Sequence, residues 1–351
     1  MQRAGYVRLL VSLFVCFSVI LYNFFGWISP FYETQAVTAV PATDGEVLQE
    51  ESVSQDTLAD TTESQPQETA QSQTQTSSQS TESIAVSAGE VKGRIISKYI
   101  SPYSAPLSYN KVYIKNSTGI DIDIKKLTEA ALGFSIEQNE SPQVLIVHTH
   151  ATESFMSTDS TYYTDDFSPR SKDNSKNMVK IGDIVAEKLN NAGIKTLHDA
   201  TLHDYPEYTG SYTRSAKTIK SYLSKYPDIK IVLDLHRDSV ASGESDKVKL
   251  VTEIGGKKAE QVMLVMGSQT GSVTGHPNWQ ENLKLAFKLQ QKLENNYPTL
   301  ARPLMLMSKL YNQNLTTGSL LLEFGTDANS LEEACYSAEL VGNALAELLK
   351  E

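Results

Sequence analysis

The sequence predicts an α/β fold, a mostly parallel sheet flanked by helices in a single catalytic-type domain, preceded by a transmembrane helix and a disordered linker. Three observations carry that expectation. From residue 141 onward, apolar β-prone runs alternate with helical periods. QVLIVHTH and IKIVLDLH read as strands buried on both faces, as parallel-sheet strands are. Three runs also lead straight into polar residues, HTHATESF at 148–155, DLHRDS at 234–239 and LLEFGT at 321–326. Strand carboxyl ends are where open sheets of this kind carry their sites.

The chain has 351 residues and a formal net charge of −11, and both are unevenly spread. Leu9 to Trp27 is an uncharged apolar run preceded by Arg3 and Arg8. At helical rise it roughly spans a bilayer core of ~30 Å, and the basic residues before it favour a cytoplasmic N-terminus. Residues 1–32 are therefore expected to be a cytoplasmic N-terminus and membrane anchor, with the remainder outside the cell membrane. The alternative is a cleaved secretory signal, which the small residues near Ala36 to Ala39 permit, although the run is longer than the usual apolar core of such a signal. Residues 33–91 are rich in Ser, Thr, Gln and Glu and cannot bury enough apolar surface to fold. As a disordered tether this stretch would reach roughly 40 Å. Its eleven acidic residues between Glu33 and Glu90, with no Lys or Arg, account for the net charge. The region from Lys92 onward is then nearly neutral and gives no case for nucleic-acid binding, which would need a basic face. Cys16 lies in the membrane run and Cys335 in a helical pattern, so no intrachain disulfide is expected.

Residues 92–140 form an ordered extension in which KVYIKN reads as a strand and IDIDIKKLTEAALGF as a helix. The domain proper spans 141–351. After QVLIVHTH, the stretch NMVKIGDIVAEKLNNAG is an amphipathic helix with Met178, Ile181, Ile184, Val185 and Leu189 on one side and Gly193 as its stop. IKTLHD is a strand, SYTRSAKTIKSYLSKYP a helix closed by Pro227, and IKIVLDLH a strand. KVKLVTEI and QVMLVMGS follow as strands joined through Gly255 and Gly256. NWQENLKLAFKLQQKLENNYP is a long helix, PLMLMSK and GSLLLEFG are strands, and NSLEEACYSAELVGNALAELLKE closes the chain as a helix.

His150, His236 and Glu323 are far apart in sequence but would converge along one edge of one sheet in this arrangement, with Glu153 three residues after His150. His-x-x-Glu, then His, then Glu is a zinc hydrolase pattern: three His/Glu ligands leave a fourth position for water, and a nearby carboxylate moves protons. His150, Glu153 and His236 fill the ligand places and Glu323 the last. His148 and His150 would share a face by strand alternation. Arg237 and Asp238 could bind substrate carboxylate, support a ligand or form a salt bridge. His198 and His203 fall in a loop-like stretch, and His276 reads as a surface residue. Tyr162, Tyr163, Tyr205, Tyr208 and Tyr212 stand in polar loops, where they would line a groove or face solvent.

LLEFGTDANSLEEA and LDLHRDS resemble the segments of zinc-dependent N-acetylmuramoyl-L-alanine amidases that supply the catalytic Glu and a zinc His. The apolar run, the acidic tether, VLIVHTHATESF, LDLHRDS and LLEFGT together resemble the stage II sporulation protein P family, engulfment peptidoglycan hydrolases of spore-forming Firmicutes. That resemblance covers about Lys111 to the C-terminus. It implies zinc, cleavage of the amide between muramic acid and the L-Ala of the stem peptide, and a second activity on peptide cross-links. It also implies partners: peptidoglycan, the membrane bilayer, a glycan-cleaving lytic transglycosylase and a membrane scaffold protein of the engulfment complex. Matching the amidase pattern puts the ligand at His150, with His148 as support that orients it. Typical wall amidases take a ligand Glu at the start of the following helix, where this chain has Asn177. Glu153 replaces it in the manner of zinc carboxypeptidases, with Asp183 or Glu187 as fallback ligands. Two alternatives stand beside this: an exported zinc carboxypeptidase using Arg237 or Arg214 as a carboxylate clamp, and a non-catalytic wall-binding scaffold.

Overall fold

A computed structural model of the chain describes residues 89–137 and 139–351. The expected membrane run, most of the tether and Cys16 lie outside the described residues. Among the described residues no helix is long and apolar enough to cross a membrane. In chain order the elements are β1 (Val91–Lys98), β2 (Leu107–Tyr109), β3 (Val112–Asn116), α1 (Ile124–Glu129), β4 (Val144–Val147), β5 (Tyr162–Thr164) and α2 (Met178–Asn191). Then come β6 (Thr196–His198), α3 (Ser211–Lys225), β7 (Ile231–Asp238), β8 (Ala241–Ser242), β9 (Asp246–Ile254), β10 (Lys257–Glu260) and β11 (Val262–Gly267). The chain closes with α4 (Trp279–Asn296), β12 (Leu304–Met307), β13 (Gly318–Thr326) and α5 (Leu331–Leu348).

The fold is mixed α/β. Its main sheet has the order β2-β3-β12-β11-β13-β7-β4-β6. β13, β7, β4 and β6 are parallel, as are β3, β12 and β11; the two blocks meet antiparallel at β11 and β13. A second sheet, absent from the sequence reading, has the order β10-β9-β1-β5 with β8 beside β9. Gly255 and Gly256, both at positive φ, turn β9 back onto β10 in an antiparallel hairpin. KVKLVTEI therefore belongs to the second sheet and only QVMLVMGS to the main one. The segment 92–140 feeds both sheets, β1 the second and β2 and β3 the main.

Strand alternation sorts the core. Val144 and Ile146 face a large cluster with buried residues of α2, α4 and α5, while Leu145 and Val147 face a smaller one built on Ile219 of α3. On β7, Ile231, Leu233 and Leu235 join the large cluster and Val232 the small one. Asp234 and His236 consequently share the face of α3, as does Glu323, because Leu322 and Phe324 on either side of it point into the large cluster. Each fully buried Leu, Ile or Phe contributes about 1.5–3 kcal/mol, so the crowded face fixes the strands. The thinly covered α3 face leaves room for polar groups at their ends.

Candidate active site

β4 ends at Val147, and the polypeptide then turns so that the Glu153 N–H donates to the His150 carbonyl at 3.1 Å. That turn brings Glu153 back toward β7, where its Oε2 lies 3.6 Å from Nδ1 of His236 and accepts from the Arg237 N–H at 3.2 Å. The rings of His150 and His236 are edge to face, with centroids 5.2 Å apart. Glu323 is the direct register partner of His236 across β13 and β7. All four residues thus meet at one edge of the main sheet. Nδ1 of His150, Nε2 of His236 and Oε2 of Glu323 are buried with no hydrogen-bond partner among the described residues. Asp234 Oδ1 comes within 3.0 Å of His236 Nε2, but the contact is not directed as a hydrogen bond. Asp234 spends its carboxylate on the N–H and hydroxyl of Thr149, at 2.8 and 2.6 Å.

Burial shapes the charges. It pushes the His150 pKa down to about 4, against the pull of Glu153. Burial would raise Glu153, but Arg237, His236 and His150 hold it down to about 2. His236 would be lowered by burial, yet Asp234 and Glu153 outweigh that and hold it well above its ordinary value. Glu323 is pushed up to about 8, first by burial, with His236 opposing and Asp238 and Glu153 adding to the rise. The pocket is therefore rich in carboxylates and attracts positive charge. The imidazoles of His150 and His236, each with a buried nitrogen outside any hydrogen bond, and the Glu153 carboxylate match in kind the N, N, O donors zinc takes. Among the described residues no three such side chains form a closed ligand group as arranged.

The other candidates are placed elsewhere. His148 points to the opposite sheet face: its Nδ1–H donates to the Leu235 carbonyl at 3.0 Å and its Nε2 meets His198 Nε2 at 2.8 Å. The alternation that would align it with His150 stops with the strand at Val147, and His148 supports the backbone next to His236 instead. Asp183 faces His198 at 3.0 Å, Glu187 is exposed, and neither joins the site. Asn177 caps α2 by accepting from the Val179 N–H. His203 is spent on the His148 carbonyl and Thr218. His276 is buried, not a surface residue, because the turn before α4 folds it inward. Arg237 directs its guanidinium to the carbonyls of Ser154, Pro169 and Asp238, and Arg214 to those of His203, Glu207 and Thr209. Neither is available as a carboxylate clamp.

The tyrosines divide between the second sheet and the site. Tyr162 and Tyr163 belong to β5 of the second sheet, but Tyr208 stacks on His150 at 4.5 Å with its hydroxyl 3.2 Å from Nε2. Tyr212 packs against both histidine rings. Nothing local in SYTRSAK marks Tyr212, whose place depends on where α3 begins. Asp234 was legible, since it lies two residues before His236 on the same strand face.

A sequence model of the stage II sporulation protein P family matches residues 29–346. The chain belongs to the stage II sporulation protein P family. The stage II sporulation protein P of Bacillus subtilis (strain 168) is 30% identical over 216 residues, 58% of this chain and 50% of that protein. The chain thus spans about half the length of the curated relative it matches. Among solved structures, the apo N-acetylmuramyl-L-alanine amidase of Mycobacterium abscessus has a TM-score of 0.36 at 14% identity, covering 60% of this chain and 99% of that one. The CwlD amidase of Clostridioides difficile, in complex with the GerS lipoprotein, has a TM-score of 0.37 at 12% identity, covering 59% and 98%. These overlaps are loose, and membership of the stage II sporulation protein P family does not rest on them.

Proposed function

We propose that the protein is a zinc-dependent peptidoglycan hydrolase of sporulation that cleaves the amide between N-acetylmuramic acid and L-Ala. The observation that carries this reading is the meeting of His150, Glu153, His236 and Glu323 at one sheet edge, with both imidazoles offering an unpartnered buried nitrogen. Membership of the stage II sporulation protein P family supports the wall as substrate. In this reading Leu9–Trp27 anchors the chain with its N-terminus cytoplasmic, and the acidic stretch tethers the catalytic part outside. A lytic transglycosylase and a membrane scaffold protein of the engulfment complex are the proposed partners.

His150, His236 and Glu153 would hold the zinc, which would supply a Lewis acid and lower the pKa of water toward ~7. With the Tyr208 hydroxyl accepting from Nε2–H, His150 would keep its Nδ1 lone pair free. Arg237, through its backbone N–H, fixes the Glu153 carboxylate. Glu323 takes the proton of the attacking water and returns it to the leaving nitrogen, which an amide needs because an amine anion leaves poorly. The carboxypeptidase reading loses support because Arg237 and Arg214 are committed to backbone carbonyls.

The test is digestion of purified peptidoglycan with and without chelator, followed by mass spectrometry of the new ends. Free L-Ala amino groups that vanish with chelator are expected. Released C-terminal D-amino acids would favour the carboxypeptidase, and no new ends a binding scaffold. Glu323→Gln should retain zinc and lose turnover, whereas His236→Ala should lose both.

A further inference from the structure

We infer that the Tyr212 hydroxyl is a catalytic hydrogen-bond donor to the oxyanion formed when the amide is attacked, an inference that rests on the reading under Proposed function. Tyr212 is the second residue of α3, and its backbone carbonyl accepts from Asn312 Nδ2 at 2.9 Å. Its ring is held on three sides. It lies edge-on to His150 with centroids 5.6 Å apart, near-parallel to His236 at 6.4 Å and tilted against Tyr311 at 6.1 Å. The hydroxyl makes no hydrogen bond among the described residues, whereas those of Tyr208, Tyr222 and Tyr336 are all engaged. A fixed ring carrying an unspent O–H therefore packs against both histidines.

Hydrolysis creates a need for that donor. The water oxygen bonds to the amide carbon as Glu323 accepts its proton, and the carbonyl π pair moves onto the carbonyl oxygen. The tetrahedral adduct then collapses, the C–N bond breaks, and the nitrogen takes the proton from Glu323, leaving a muramoyl carboxylic acid and a free L-Ala amine. Besides the zinc that His150, Glu153 and His236 would hold, the pocket offers that oxygen no spare donor among the groups already described, and the Glu153 and Asp234 carboxylates repel it. Arg170 cannot help, being bonded to Asp204 and Thr152, and Arg237 is spent on carbonyls. A preorganised donor of this kind is worth about 100-fold in kcat or more.

Tyr212→Phe in the full-length, zinc-loaded protein tests it, because the ring stays and only the O–H leaves. The expected result is a kcat about 100-fold lower with KM within about two-fold of the parent, bound zinc and Tm unchanged. A phosphinate mimic of the tetrahedral adduct should lose affinity by a comparable factor. Uncleaved muropeptide, measured in Glu323→Gln with and without the second change, should not. A kcat within about three-fold of the parent, or loss of zinc or thermal stability in Tyr212→Phe, would overturn the assignment. A parent protein that releases no L-Ala amine would instead bring down the amidase reading and this inference with it.

Discussion

Glu323 is a carboxylate whose Oε2 has no partner and whose pKa burial pushes from 4.5 up to about 8. A folded-state pKa above the unfolded value contributes stability that is fully present below about 4.5 and lost as pH rises through about 8. Metal-free protein should therefore lose stability over that window because of this one group, and Glu323→Gln should remove the loss. We expect parent and variant to melt at similar temperatures near pH 5, with the variant increasingly more stable toward pH 9, as read by calorimetry with chelator present. A difference that stays constant across the range would mean that Glu323 is not the group responsible. Zinc should shrink the effect, since a nearby cation favours the carboxylate. His236 and Glu323 were legible in the sequence because each closes a β-prone run with a charge. Strand alternation alone put His148 and His150 on one face, and only the amidase resemblance ranked them; the two part because β4 ends at Val147 and the alternation stops there.

At the level of elements, the sequence showed those with long hydrophobic periods and hid the short ones. α2, α4, α5, β7 and β13 follow their apolar patterns closely, since tertiary burial and local pattern agree there. β10 (KKAE) and β5 (YYT) are short, polar or exposed, and only pairing with β9 and β1 makes them strands. α2 also shows how a helix is fitted to the site. Gly182 sits within it where any Cβ would collide with the ring nitrogens of His148 and His198. Those rings are bonded to each other, and His148 holds the Leu235 carbonyl next to His236. Gly182→Ala gains helix propensity of up to ~1 kcal/mol but must displace the pair, at a cost of about 1–3 kcal/mol. A net destabilisation in urea unfolding is expected, together with weaker zinc binding through the disturbed β7. A variant as stable as the parent would show that the ring pair yields freely and does not brace the strand.

Across the whole molecule, the two sheets are joined at the turn that follows Glu323. Asn329 is fully buried and bonded in both directions. Its Oδ1 accepts from Leu250 N at 3.1 Å and Thr326 N at 3.0 Å, and its Nδ2 donates to the Leu250 carbonyl at 3.2 Å and to Glu333 at 2.9 Å. Leu250 lies on β9 of the second sheet and Thr326 ends β13 of the main one, so a single side chain ties the strand that carries Glu323 to the other sheet. Thr326 adds a second tie from its hydroxyl to the Val248 carbonyl at 2.7 Å. Asn329→Ala takes this acceptor from the Leu250 and Thr326 N–H groups, while the Leu250 carbonyl keeps the Gln261 N–H, and each unsatisfied group costs ~1–3 kcal/mol. A total loss of about 2–4 kcal/mol in urea unfolding is expected, since Thr326 keeps part of the junction. Asn329→Asp separates packing from bonding. It preserves volume and acceptors but loses both donors and sets a negative charge against Glu333, so it should cost at least as much as the alanine. Were Asp tolerated while Ala was not, the side chain would matter for filling space, and the two sheets would be held together by something other than this junction.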